Sequence, residues 1–236
     1  MDGFLILSLE TATGCGSVAL TRNTRLLAEA TAQPEVTHSR RLLGTVSWLM
    51  QAAMVDWSEL DAVAVSIGPG SFTGLRIGLA AGQGLSLAAG IPLVAVETLD
   101  ALALACAPAG EERICPVLDA RKQEVYAALY RPGGDNGYPV RLGDDQAMSP
   151  QALVEMIDRP TLVAGPAVAV YREVFSQNSC IRLLPPPLAH PRALYVGLLA
   201  EQKLADGLVP NDGPVSPKYV RASEAEITLQ RKKESK

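Results

Sequence analysis

Two carboxylates occupy matching places in this chain. Glu10 closes the apolar run Phe4–Leu9 and Asp119 closes Ile114–Leu118; each is followed by a polar turn and a return run, with a leucine ten positions after the acid, Leu20 and Leu129. An acid at the end of a buried strand can hold magnesium or a water beside a nucleotide, provided that glycines nearby let backbone amides close on the phosphates. The first turn keeps Gly14 and Gly16, whereas the second reads Ala120-Arg121-Lys122-Gln123 and puts side chains where a phosphate would enter. Glu10, its neighbour Thr11 and Asp119 are the candidates for cofactor contact, and the crowded second turn argues that no cofactor is held.

A second distinctive stretch, Gly68-Pro69-Gly70-Ser71-Phe72-Thr73-Gly74-Leu75-Arg76-Ile77-Gly78, joins a buried strand to a helix. It lacks the GK[ST] of a phosphate loop, so no lysine and hydroxyl meet a terminal phosphate. Nor does it contain GxSxG, because Pro69 and Thr73 flank Ser71, which suits a helix-start hydroxyl rather than a nucleophile. In the helix that follows, Gly74, Gly78 and Gly82 repeat every four residues and strip one face of side chains. Each helical glycine costs roughly 0.5–1 kcal/mol against alanine. Close approach of another backbone offsets that cost, and two sources stand open: the chain's own sheet, or a helix of another molecule.

Other reactive residue types are scattered. His38 is followed at i+4 by Leu42, and His190 lies far away, so no two-imidazole metal face forms. Cys15, Cys106, Cys115 and Cys180 show no CxxC pairing and read as reduced, mostly buried thiols. Neither a catalytic set nor a metal site can be named.

The elements that must carry these residues follow from periodicity. Phe4–Leu9, Cys15–Leu20 and Leu26–Thr31 read as a three-strand meander, and Thr37 as the cap of a helix whose apolar positions run Leu42, Leu43, Val46, Leu49, Met50, Ala53. Then come a strand Ala62–Ile67, a helix Thr73–Ala89, a strand Pro92–Val96 and a helix Leu99–Ala105. The second half gives strands Ile114–Leu118, Val125–Tyr130 and Leu162–Ala164, an exposed loop over 132–150, a helix Val168–Phe175 and a last helix from Pro191 to about Ala205, with Gly207 as its stop. The fold class is α/β, with the two carboxylate hairpins marking a structural repeat. Residues 1–105 are expected to form a first lobe and 106–221 a second, with helix 191–205 packing back on the first and 222–236 a loose tail.

Of 236 residues, 48% are hydrophobic and 19% charged, which is ample for buried cores and excludes bulk disorder. No run is long enough to cross a membrane, and the start has no secretory character, so a soluble cytoplasmic protein is expected. All six lysines lie at or after Lys122, and the first hundred residues hold nine acids against five arginines. That half repels a phosphate backbone, so direct RNA binding is disfavoured, the basic run Arg231-Lys232-Lys233 notwithstanding.

Ile6-Leu7-Ser8-Leu9-Glu10-Thr11-Ala12, Thr37-His38-Ser39-Arg40, the Gly68–Gly78 string, Leu118-Asp119-Ala120-Arg121 with Glu124-Val125-Tyr126, and Pro217-Lys218-Tyr219-Val220-Arg221 together resemble the bacterial TsaB (YeaZ) family over nearly the whole chain. The resemblance implies the duplicated actin-like fold (sugar kinase/Hsp70/actin). It also implies a non-catalytic relative of TsaD, the subunit that transfers a threonylcarbamoyl group from threonylcarbamoyl-AMP to the adenosine beside the anticodon of tRNAs reading A-starting codons. The metal-holding HxxxH of TsaD is missing, since Leu42 stands where the second histidine would be. Implied partners are TsaD, through helices of the first lobe, and TsaE; isolated copies would form homodimers, and tRNA would be met only indirectly. The implied interface falls on the helix near His38, with Leu42, and on the helix bearing Gly74, Gly78 and Gly82, with Arg41, Leu75, Arg76 and Leu85 added by position. The rival expectation is an actin-fold phosphotransferase or acyl-transfer enzyme using Glu10 and Asp119.

Overall fold

A computed structural model describes residues 3–32, 41–107, 112–133, 137–185, 190–208 and 215–220. The first half contains β1 (Leu5–Glu10), β2 (Gly16–Arg22), β3 (Arg25–Ala32), α1 (Leu42–Ala52), β4 (Ala62–Gly68), α2 (Phe72–Ala89), β5 (Leu93–Glu97) and α3 (Thr98–Cys106). The second contains β6 (Arg113–Arg121), β7 (Glu124–Ala127), β8 (Tyr130–Arg131), β9 (Val140–Arg141), β10 (Gln146–Met148), α4 (Pro150–Met156), β11 (Thr161–Ala164), α5 (Ala167–Phe175), β12 (Ile181–Leu183) and α6 (Ala193–Ala205).

The two sheets repeat one plan. The first has the order β3-β2-β1-β4-β5, with β1–β2 and β2–β3 antiparallel and β1–β4 and β4–β5 parallel. The second runs β10-β7-β6-β11-β12 with the same senses, so Glu10 at the end of β1 and Asp119 near the end of β6 are equivalent. The 132–150 stretch, expected to be a loop, contains β9 and β10, and α4 and β12 complete the plan. These four pieces are only two, three, seven and three residues long, too short for a period to register. The expected strand Val125–Tyr130 breaks after Ala127, and Tyr130 moves over to pair with Ile114.

Strand β1 is buried along its whole length, and its period-2 alternation faces two different covers. Leu5, Leu7 and Leu9 share a core with Leu42, Val46 and Leu49 of α1 and Leu79 of α2. Ile6 points the other way, into a cluster with Val196 and Ala200 of α6. There α6 comes so close that a Cβ on Gly197 would lie 2.7 Å from Ser8 Oγ and 2.6 Å from Thr21 Oγ1. First-lobe side chains also serve the start of α6: Ser17 Oγ accepts from Ala193 N at 3.1 Å and Glu29 Oε1 from Leu194 N at 3.3 Å. Conversely α3 sends Leu99, Leu102 and Cys106 into a cluster with Ile114 and Leu118 of the second sheet. Each half's closing helix thus covers strands of the other half. No helix among the described residues is long and apolar enough to cross a membrane.

Candidate functional site

A cleft of about 450 Å³ opens between the two carboxylate hairpins and the start of α2, with Thr13, Gly14 and Ser71 on one side and Asp119, Arg121 and Tyr126 on the other. Asp119 lines it, pairing at 3.6 Å with the exposed Arg121 side chain and accepting from Arg121 N at 2.8 Å. Glu10 does not. It lies wholly buried behind the wall, where Oε1 accepts from Ala12 N at 2.5 Å and Oε2 has no partner among the described residues. Burial pushes its carboxyl up to about 7, against the opposing pull of the Ala12 N–H and the neighbouring Ser66 hydroxyl. Thr11 is also buried and donates to Gly74 O at 2.8 Å, so it is a packing element of α2 rather than a ligand contact. The structure therefore leaves Asp119 at the cleft and withdraws Glu10 and Thr11 from it.

The second hairpin closes its side of the cleft with side chains. Arg121, Lys122 and Gln123 have φ of 62°, 51° and 61°, left-handed conformations taken here without a glycine. Non-glycine residues there cost on the order of 1 kcal/mol each. Among the described residues no group of His, Cys, Asp and Glu is placed to hold a metal. Burial lifts the Cys106 and Cys115 thiols to about 11 and about 12, which removes them as nucleophiles.

Helix α2 corrects the expected interface. Ser71 caps it as read, accepting from Gly74 N at 3.2 Å. Its glycine stripe, however, faces the chain's own sheet. A Cβ on Gly74 would lie 2.1 Å from Thr11 O, and one on Gly78 2.1 Å from Thr11 Oγ1. One on Gly82 would lie 3.2 Å from Leu93 Cδ1. Leu75 and Leu42 are buried as well. These five residues are internal packing: three successive turns of α2 ride over the end of β1 and then over β4 and β5, and Leu42 of α1 joins the core of Leu5, Leu7 and Leu9. Arg41 and Arg76 are exposed, Leu85 is half-buried, and His38 lies outside the described residues.

What α2 turns outward is Thr73, Arg76, Ala80, Gln83, Gly84 and Leu87, with Leu87 85% exposed. Beside it α1 exposes Leu43, Gly44 and Trp48, and Met54 follows at 90% exposure. Of this ridge, sequence reasoning named Arg76 alone. Its signal was a second run of small residues, Ala80 and Gly84, four apart like the glycines but on the opposite side of the helix.

A family model described as TsaD, tRNA N6-adenosine threonylcarbamoyltransferase, matches residues 26–229. The tRNA threonylcarbamoyladenosine biosynthesis protein TsaB of Bacillus subtilis (strain 168) is 30% identical over 229 residues, which cover 94% of this chain and 96% of that protein. Among solved structures, YeaZ from Pseudomonas aeruginosa matches with a TM-score of 0.79 at 31% identity, over 92% of this chain and 99% of its own. Component A of (R)-2-hydroxyglutaryl-CoA dehydratase from Acidaminococcus fermentans, at 10% identity and a TM-score of 0.50 over 86% of this chain and 99% of its own, shares the fold alone. With the doubled strand order, these likenesses make the fold the duplicated actin-like one.

Proposed function

The chain belongs to the TsaB (YeaZ) family of tRNA threonylcarbamoyladenosine biosynthesis proteins, and from that premise we propose that it serves the pathway as a non-catalytic subunit docking on a TsaD-type transferase, with TsaE completing the assembly. Participation in the tRNA modification is carried by the family; the docking role is supported by the outward ridge of α1 and α2. Leu43, Trp48 and Leu87 present apolar surface to water on adjacent helices, at a cost of about 25 cal/mol per Å². Ala80 and Gly84 leave room for a partner helix to approach closely. A second copy of the chain would use the same ridge, so homodimer and heterodimer compete. Glu10 sealed behind the cleft wall and a glycine-free second hairpin speak for chemistry being done by the partner, and tRNA is met through that partner.

The test mixes the chain with TsaD after Leu87→Glu and Ala80→Arg, two changes at exposed positions that leave the core untouched. Association weakens roughly a hundredfold, as expected for charge placed in the middle of an apolar seam. tRNA modification by the mixture falls with it, while the melting temperature stays at the wild-type value. Undiminished association and modification by the folded variant would refute the docking face.

A further inference from the structure

The segment Val215–Val220 belongs to no strand or helix, yet it is held against the first lobe. Its backbone lies on the first lobe: Lys218 N donates to Ile67 O at 2.7 Å, and Gln83 Nε2 donates to Val215 O at 3.0 Å. Gly68, at φ +121°, is glycine because a Cβ there would sit 2.6 Å from Lys218 O. Tyr219 stacks on Phe72 in the first turn of α2 at 5.2 Å between centroids, and its hydroxyl accepts from Arg76 Nε at 3.0 Å. The Arg76 guanidinium in turn lies over the Phe72 ring, 3.9 Å from its centroid.

The Lys218 side chain then leaves the first lobe. Its ammonium lies 2.8 Å from Glu97, the last residue of β5, and 2.8 Å from Asp145, which precedes β10 in the second sheet and whose side chain is 1% exposed. Arg141 of β9 joins them, 2.6 Å from both Glu97 and Asp100 and paired with Asp145. Two cations thus face three carboxylates across the lobe boundary. Removing Lys218 leaves Arg141 alone against all three, with Asp145 out of water, and like charges then push the lobes apart.

We propose that Lys218 is a positioning residue: it locks the angle between the two lobes and, through the strap that carries it, sets the first turn of α2, so that the docking ridge is presented from a frame that does not open. The lock stands on its own geometry; its effect on docking rests on the reading given under Proposed function. The experiment follows amide exchange of the full-length chain by mass spectrometry, together with its affinity for TsaD, in Lys218→Met, Lys218→Arg and Tyr219→Ala. Lys218→Met speeds exchange at least about tenfold in segments 97–100 and 141–145 as well as 67–76, and weakens TsaD association about tenfold; Lys218→Arg recovers most of both. Tyr219→Ala loosens 67–76 only and leaves 141–145 at the wild-type rate. Wild-type exchange in all segments of Lys218→Met overturns the lock, and loosened segments with unchanged affinity overturn the positioning role. Should Lys218→Met fail to fold, Tyr219→Ala decides: a wild-type rate at 67–76 overturns the coupling of strap to α2. Leu87→Glu separates this from the docking reading, since it weakens association without touching exchange at 141–145.

Discussion

Glu10 shows how far enclosure can change a carboxylate. With the Glu10 pKa raised to about 7 by burial, the folded chain keeps a proton that the unfolded chain gives up near the ordinary value of 4.5. Between those two pH values the native state binds more protons than the unfolded one, so stability falls as pH rises through the window and levels off above it. The span corresponds to a loss on the order of 3 kcal/mol. Glu10→Gln, neutral at every pH, removes that slope. Urea denaturation at pH 5 and pH 8 checks it: the variant gains on the wild type at pH 8 relative to pH 5, and a gap independent of pH would contradict the buried acid. The position of Glu10 at a strand end was legible from the pattern shared with Asp119. Its enclosure was not, because it depends on parts of the chain distant in sequence, such as Ser66 of β4 beside the carboxyl, that no local window contains. His38, the remaining motif residue, falls outside the described segments.

Among the elements, α2 carries the clearest lesson about what periodicity tells. A four-residue repeat of glycine identifies a face and predicts a close neighbour, both of which hold, but says nothing about whose backbone that neighbour is. Here it is Thr11. Two alanine substitutions on the one helix should therefore have opposite signs. Gly78→Ala drives a methyl into the Thr11 hydroxyl, which is itself bonded to Gly74 O, and destabilises by about 3 kcal/mol. Gly84→Ala meets nothing within 4 Å on an exposed turn and stabilises by roughly 0.5–1 kcal/mol. Denaturation midpoints of the two variants, compared at equal m-value, decide the point. The long strands and helices, the Ser71 cap and the Gly207 stop could be read in advance because each depends on neighbours in the chain. Strands β9, β10 and β12 could not, since two or three residues in a sheet owe their conformation to the partner strand.

At the scale of the molecule, the division at residue 105 separates the sheets but not the cores. Leu99 and Leu102 belong by sequence to the first half and by packing to the second, while Val196 and Ala200 do the reverse. Glu29 on β3 holds this exchange in place: nearly buried, it pairs with Arg192 and accepts from Leu194 N at the start of α6. Glu29→Ala leaves that guanidinium and the first turn of α6 without their acceptor, at a cost of about 2–4 kcal/mol. Both sheets should lose stability in one transition, because α6 closes the first and α3 the second. Unfolding followed by backbone circular dichroism and by the fluorescence of Trp48 and Trp57 gives coincident curves if so, and separate midpoints would show the halves to be independent.

The crossing of α6 also orders events during synthesis. When β1, β2 and β4 have left the ribosome, one side of their sheet meets α1 and α2 soon after, but the side bearing Ile6, Ala62 and Ala64 is covered only in part, by Ala101 of α3, until Val196 and Ala200 of α6 have emerged. A nascent chain stalled before that point carries a wet apolar sheet, and chaperones that grip such surfaces should hold it until the final helix arrives.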